Sequence, residues 1–189
     1  MNMLKNAVEL SHFYLKQFLK EGSFVVDATC GNGGDTLFLA EIVGENGLVY
    51  GFDIQKDAIE NTKIRLENVS LSNRVQLFQD GHENMEKYLG CKMADAFVFN
   101  LGYLPKGDHA LHTKPDTTII AIQTALKHLN KEGIIAVSIY HGGDSGYEER
   151  DSVLSYLETL DKHNYNVIIH HYSNKPNDPP ILAVICHNH

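Results

Sequence analysis

Cysteine is scarce: Cys30, Cys91 and Cys186 are all the chain has, odd in number, far apart and without a CxxC pair. Neither a disulfide framework nor a zinc site is implied, and a reducing cytoplasm is the expected setting. Positive charge is also short, with 16 Lys and Arg against 24 Asp and Glu and a formal net charge of −8. Loose polyanion binding needs clustered cations that release counterions, so nucleic acid must be met, if at all, at a local patch. Long apolar runs are missing, and Lys5, Glu9 and Lys16 interrupt the apolar residues near the N-terminus, so neither a membrane span nor a signal peptide is expected. The eleven histidines include no HExxH motif, and no metal is expected. Linkers, repeats and low-complexity tracts are absent too, which leaves one domain over residues 1–189.

What is present is alternation. Val8, Leu10, Phe13, Leu15, Phe18 and Leu19 recur at roughly helical spacing, predicting an N-terminal helix within about residues 2–20. Apolar runs at 24–26, 47–52, 75–78, 94–99, 133–139, 165–172 and 181–186 read as strands. Helical segments fall between them: one opening at Thr36, one over 55–69, a short one over 83–89, one over 117–129 capped around Asp116, and one over 147–160. Two loops stand out, 100–116 and the Gly-rich 140–146, and loops of the first length inside a compact domain usually carry function. The pattern predicts a doubly wound α/β fold: a mostly parallel seven-stranded sheet, its last strand antiparallel, with ligands at the carboxyl ends of the strands.

The first such end is Asp27-Ala28-Thr29-Cys30-Gly31-Asn32-Gly33-Gly34, a turn whose glycines let backbone approach a ligand beside a helix N-terminus. Two more acids follow successive strands. Asp53 is placed to accept from both hydroxyls of a ribose, and Asp80 from an adenine amino group. A dinucleotide dehydrogenase also fits Asp53, about twenty residues beyond Gly33. Its fingerprint requires a third glycine, though, and Thr36 stands there, while Asp27 would repel a pyrophosphate. An acid at that point suits a ligand with a sulfonium and an ammonium, as in S-adenosylmethionine.

This arrangement resembles the class I methyltransferases. Asn100-Leu101-Gly102-Tyr103-Leu104-Pro105-Lys106-Gly107-Asp108, together with the turn continued through Asp35 and Thr36, Tyr140-His141-Gly142-Gly143-Asp144 and Asn177-Asp178-Pro179-Pro180, resembles end to end a small family long labelled rRNA methylases. That family is understood to methylate the aminomethyl group of 5-aminomethyl-2-thiouridine at the tRNA wobble position. The resemblance implies a Rossmann-like enzyme with S-adenosylmethionine held by Asp27, Thr29, Gly31, Asn32, Gly33, Asp35, Thr36, Asp53, Gln55, Asp80, Gly81, His82 and Asn100. Asn-Leu-Gly-Tyr stands where amino-methylating enzymes have Asn-Pro-Pro-Tyr, so Asn100 is expected to orient the amine through its side-chain oxygen and Tyr103 to stack on the pyrimidine. His112, with His109 and His141, is a candidate base. Lys106, Lys114, His109 and His141 form the candidate RNA patch for an anticodon stem-loop, with Tyr172 and residues 174–180 beside it. Cys30 reads as structural, and a homodimer would enlarge the RNA surface. Methylation of rRNA or of a small amine, and a non-catalytic nucleoside sensor, are the rival readings.

Overall fold

The computed structural model describes residues 6–102, 113–140, 146–176 and 179–189. Among them, seven strands form one sheet: β1 (Phe24–Asp27), β2 (Leu48–Phe52), β3 (Val75–Phe78), β4 (Ala94–Leu101), β5 (Leu129–Ile139), β6 (Tyr165–His170) and β7 (Ile181–His187). Their order is β3-β2-β1-β4-β5-β7-β6; the first five run parallel, and β7 is inserted antiparallel between β5 and β6. This is the expected doubly wound, mostly parallel sheet with its last strand reversed. The central strands read as unbroken apolar runs because both faces are covered: Phe97, Val98 and Phe99 of β4 are all buried.

Among the described residues, six α-helices cover those faces: α1 (Ala7–Phe18), α2 (Gly34–Val43), α3 (Lys56–Asn68), the single turn α4 (Glu86–Leu89), α5 (Pro115–Lys127) and α6 (Gly146–Glu158). One core layer, with Leu10, Leu15, Leu39 and Leu66, lies under α1, α2 and α3, and the other, with Ile122, Leu126, Val153 and Leu157, under α5 and α6. The order reverses direction between β1 and β4, which is where open sheets of this kind part to admit a ligand.

Several boundaries differ from those read in the sequence. In α1 the buried stripe is Ala7, Leu10, Ser11 and Leu15, whereas Phe13 and Phe18 are each 38% exposed. Small residues let this helix sit close to the sheet, and size alone misplaced its inner face. Helix α5 starts two residues early, with Lys114 as its cap and Pro115 as its first residue, so Asp116 is not the cap. Proline suits that position because the first helical N–H has no partner to lose. Strand β5 begins at Leu129 rather than 133, since a register shift between Ala94 and Ala96 absorbs the extra residues of a bulge. Strand β4 continues through Leu101, which places Asn100 on a strand and not in the loop.

Candidate functional site

Register brings the chemistry together. Asp27 pairs with Gly51 on one side and Val98 on the other, and Phe52 pairs with Phe78, so the ends of β1, β2, β3 and β4 line up at one edge of the sheet. Beyond β1 the chain must turn sharply, and it does so with Gly31 at φ 51° and Gly33 at φ 76°, both in the left-handed region that glycine enters without steric cost. Gly33 has a second reason to lack a side chain: a Cβ there would lie 2.8 Å from Thr62 Oγ1. That Thr62 hydroxyl donates to the Gly31 carbonyl at 2.8 Å, and the Cys30 N–H donates to the Phe52 carbonyl at 2.9 Å. The loop is thus pinned to α3 and β2. Asn32, at its exposed apex, accepts from Asn61 through its side chain and from Arg65 through its carbonyl.

The three acids have different surroundings. Asp27 is wholly buried and accepts from the Thr36 hydroxyl at 2.6 Å and the Thr29 N–H at 3.2 Å. Burial, followed by the charge of Asp35, raises its pKa to about 7 despite those two bonds. Asp53 is half-buried and accepts from the N–H groups of Gly31 and Gln55, each at 2.9 Å; burial raises its pKa too. For Asp80, burial works in the same direction but hydrogen bonds from Tyr88, Asn84 and Gly81 outweigh it, and its pKa lies below the usual carboxylate value. Each carboxylate spends part of its acceptor capacity on the loop beside it and keeps lone pairs for a ligand. His82 is buried near Phe99, and burial lowers its pKa, so its imidazole is held neutral and turned inward. Its neighbour Gly81 is bonded to Asp80.

Asn100 faces this cluster from β4. Its N–H donates to Thr29 Oγ1 at 2.7 Å, tying the β4 end to the β1 turn, and its Nδ2 donates to Asp35 Oδ2 at 2.6 Å. Its Oδ1 is buried and has no partner among the described residues. A buried amide oxygen left unpaired costs about 1–3 kcal/mol, so the site is complementary to an N–H that is brought to it.

The other Asp35 oxygen, Oδ1, lies 2.7 Å from His12 Nε2, and the His12 ring stacks on Phe38 with centroids 3.5 Å apart. His12 belongs to α1 and was not among the sequence candidates. Nothing in its local pattern marks it, because Asp35 is on another helix. Glu149 was missed for the same reason: it is buried at the start of α6 and accepts from the hydroxyls of Thr113 at 2.6 Å and Thr118 at 2.7 Å. Thr113 in turn accepts from the Gly102 N–H, so the ends of two loops meet at one carboxylate. Tyr140, which opens the Gly-rich motif noted in the sequence without a role of its own, has its pKa raised by burial and by Asp35. Cys30 is buried, and burial with the charges of Asp27 and Asp53 pushes its thiol up and disfavours the reactive thiolate. Lys114 is exposed at the head of α5. Tyr103, Lys106, His109, His112 and His141 lie outside the described residues, as do Asn177 and Asp178.

The same architecture and edge recur in known proteins. A crystal structure of the "putative rRNA-methylase" of Clostridium thermocellum is 51% identical and superposes with a TM-score of 0.95, covering 98% of this chain and 99% of that one. That of a "putative methyltransferase" of Streptococcus mutans, in complex with SAH, is 38% identical with a TM-score of 0.89, covering 98% and 100%. The chloroplastic tRNA (mnm(5)s(2)U34)-methyltransferase of Arabidopsis thaliana is 39% identical over 158 residues, 79% of this chain; the chain spans 58% of that relative's length. A model of protein-L-isoaspartate(D-aspartate) O-methyltransferases matches residues 4–89. The model of the family described as "Putative rRNA methylase" matches residues 49–186, which include Asp53, Asp80 and Asn100, and with these near full-length likenesses the chain belongs to that family.

Proposed function

We propose that the protein transfers a methyl group from S-adenosylmethionine to a primary amine on RNA, the 5-aminomethyl group of 5-aminomethyl-2-thiouridine at the tRNA wobble position. One observation carries the choice of an amine: the buried, unpartnered Oδ1 of Asn100, which calls for an N–H donor at the end of β4. The name of the Arabidopsis relative supports the particular base.

The residues fit the donor. Asp27 offers a buried negative charge for an ammonium, Asp53 has acceptor capacity left for ribose hydroxyls, and the tight backbone of Gly31 and Gly33 leaves room against the sheet edge. Bound there, S-adenosylmethionine supplies an electrophilic methyl group on a sulfonium. The remaining work falls to the chain. Asn100 Oδ1 accepts from the acceptor amine, which fixes the direction of its lone pair, and orientation of this kind removes much of an encounter barrier. Burial around Asn100 disfavours an ammonium and favours the neutral amine that can attack. Tyr103 is assigned to stack on the pyrimidine, and His112 to take up a proton. Lys106, Lys114, His109 and His141 are assigned to the phosphates of the anticodon stem-loop.

The test is incubation of the protein with labelled S-adenosylmethionine and bulk tRNA or rRNA, followed by nucleoside analysis. The expected product is 5-methylaminomethyl-2-thiouridine from tRNA. Label in rRNA with none in tRNA overturns the substrate. Label in neither, with the donor bound, overturns the RNA reading.

A further inference from the structure

We propose that His12 is a positioning residue for the acceptor amine, acting through Asp35 to set which end of the Asn100 side-chain amide faces the substrate. The inference rests on the amine reading above and extends it to a residue of α1.

An asparagine amide is nearly symmetric in shape, and a half-turn exchanges an acceptor for a donor at almost no steric cost. Its polarity must therefore be imposed by a neighbour. Asp35 imposes it: an ionised carboxylate only accepts, so the contact of 2.6 Å to Oδ2 requires Asn100 to present Nδ2 there and to aim Oδ1 away. The backbone bond from Asn100 to Thr29 holds the β4 end without constraining the amide's sense. Asp35 is itself at risk of rotating, being in the first turn of α2, a helix with no side-chain cap bond. His12 removes that freedom. Its Nε2–H donates to Oδ1 at 2.7 Å, and its ring lies flat on Phe38, 5° from parallel, which fixes the plane in which it meets Asp35. Both Asp35 oxygens are then committed, one to α1 and one to β4. The site is shielded: the side chains of His12 and Asp35 are 24% and 10% exposed, where water competes poorly for these bonds.

Two substitutions at position 12 separate this role from packing. His12→Phe keeps a ring on Phe38 but removes the donor; His12→Gln restores an N–H that reaches Asp35. Two readouts are taken on each. In steady-state methyl transfer to tRNA, His12→Phe is expected to lower kcat on the order of tenfold to a hundredfold, the scale of an angstrom of misplacement, with donor affinity unchanged and with most of the rate recovered in His12→Gln. In ¹⁵N-labelled protein without substrate, the Asn100 side-chain amide protons are expected to exchange slowly in the wild type and in His12→Gln and to lose that protection in His12→Phe. Wild-type kcat in His12→Phe, or unchanged Asn100 protection in it, overturns the proposal. Should wild-type protein fail to methylate tRNA, the functional reading falls while the amide exchange still decides the role of His12.

Discussion

The proposed contact of Asp27 with the donor's ammonium predicts an affinity for S-adenosylmethionine that depends on pH, by an amount that can be calculated. Wholly buried and facing Asp35 and Asp53, it has a pKa of about 7. A cationic ligand binds the ionised form, so the apparent dissociation constant is the intrinsic one divided by the ionised fraction. That fraction is about one half at pH 7 and about one eleventh at pH 6, giving a loss of affinity of about fivefold over the unit and nearly tenfold per unit below it. The window lies beneath the titration of the ligand's own α-amino group at about 7.7–8.0. Calorimetric titration across about pH 5.5 to 7 measures the slope. Asp27→Asn is expected to bind weakly, because the buried charge is gone, and with a flattened profile, because the group that titrates near 7 is gone with it. A flat wild-type profile, or a slope that survives in Asp27→Asn, refutes the reasoning. The unliganded protein carries the opposite sign: a raised carboxyl pKa stabilises the fold below about 3.8, and this contribution is lost as pH rises through about 7.

Four further outcomes are expected. Asn100→Ala abolishes methyl transfer while calorimetry still detects the donor, since the variant loses the amide oxygen but none of Asp27, Asp53 or Asp80. Gly33→Ala forces a side chain to φ 76° and against Thr62; the left-handed strain alone costs about 1–2 kcal/mol, which lowers Tm by roughly 2–8 °C in a chain of this size. Glu149→Ala strands the hydroxyls of Thr113 and Thr118 and is expected to destabilise by about 1–3 kcal/mol, read by urea denaturation. Replacing Lys106 and Lys114 together with Ala weakens tRNA binding and flattens its salt dependence by about two in slope at most, measured by filter binding over a salt series.

Much of this molecule was legible in one dimension. Alternating apolar runs predicted seven strands and their helices, and Asp27, Asp53 and Asp80 stand where strand ends were expected, beside a turn whose glycines do take left-handed angles. These features are local: burial on both faces writes a strand as an apolar run, and a sharp turn writes itself as glycine. What the sequence could not express was which distant side chains meet. The apolar run of β4 reads as ending at Phe99, with Asn100 in the loop beyond, yet pairing of Asn100 with Ser138 and Leu101 with Ile139 draws β4 two residues further. His12 and Asp35 are on different helices, and Asn100 is on a strand 65 positions beyond Asp35. Periodicity records the environment of one element at a time; the contact of α1, α2 and β4 that leaves the Asn100 amide oxygen without a partner among the described residues exists only once the sheet and both helices are assembled.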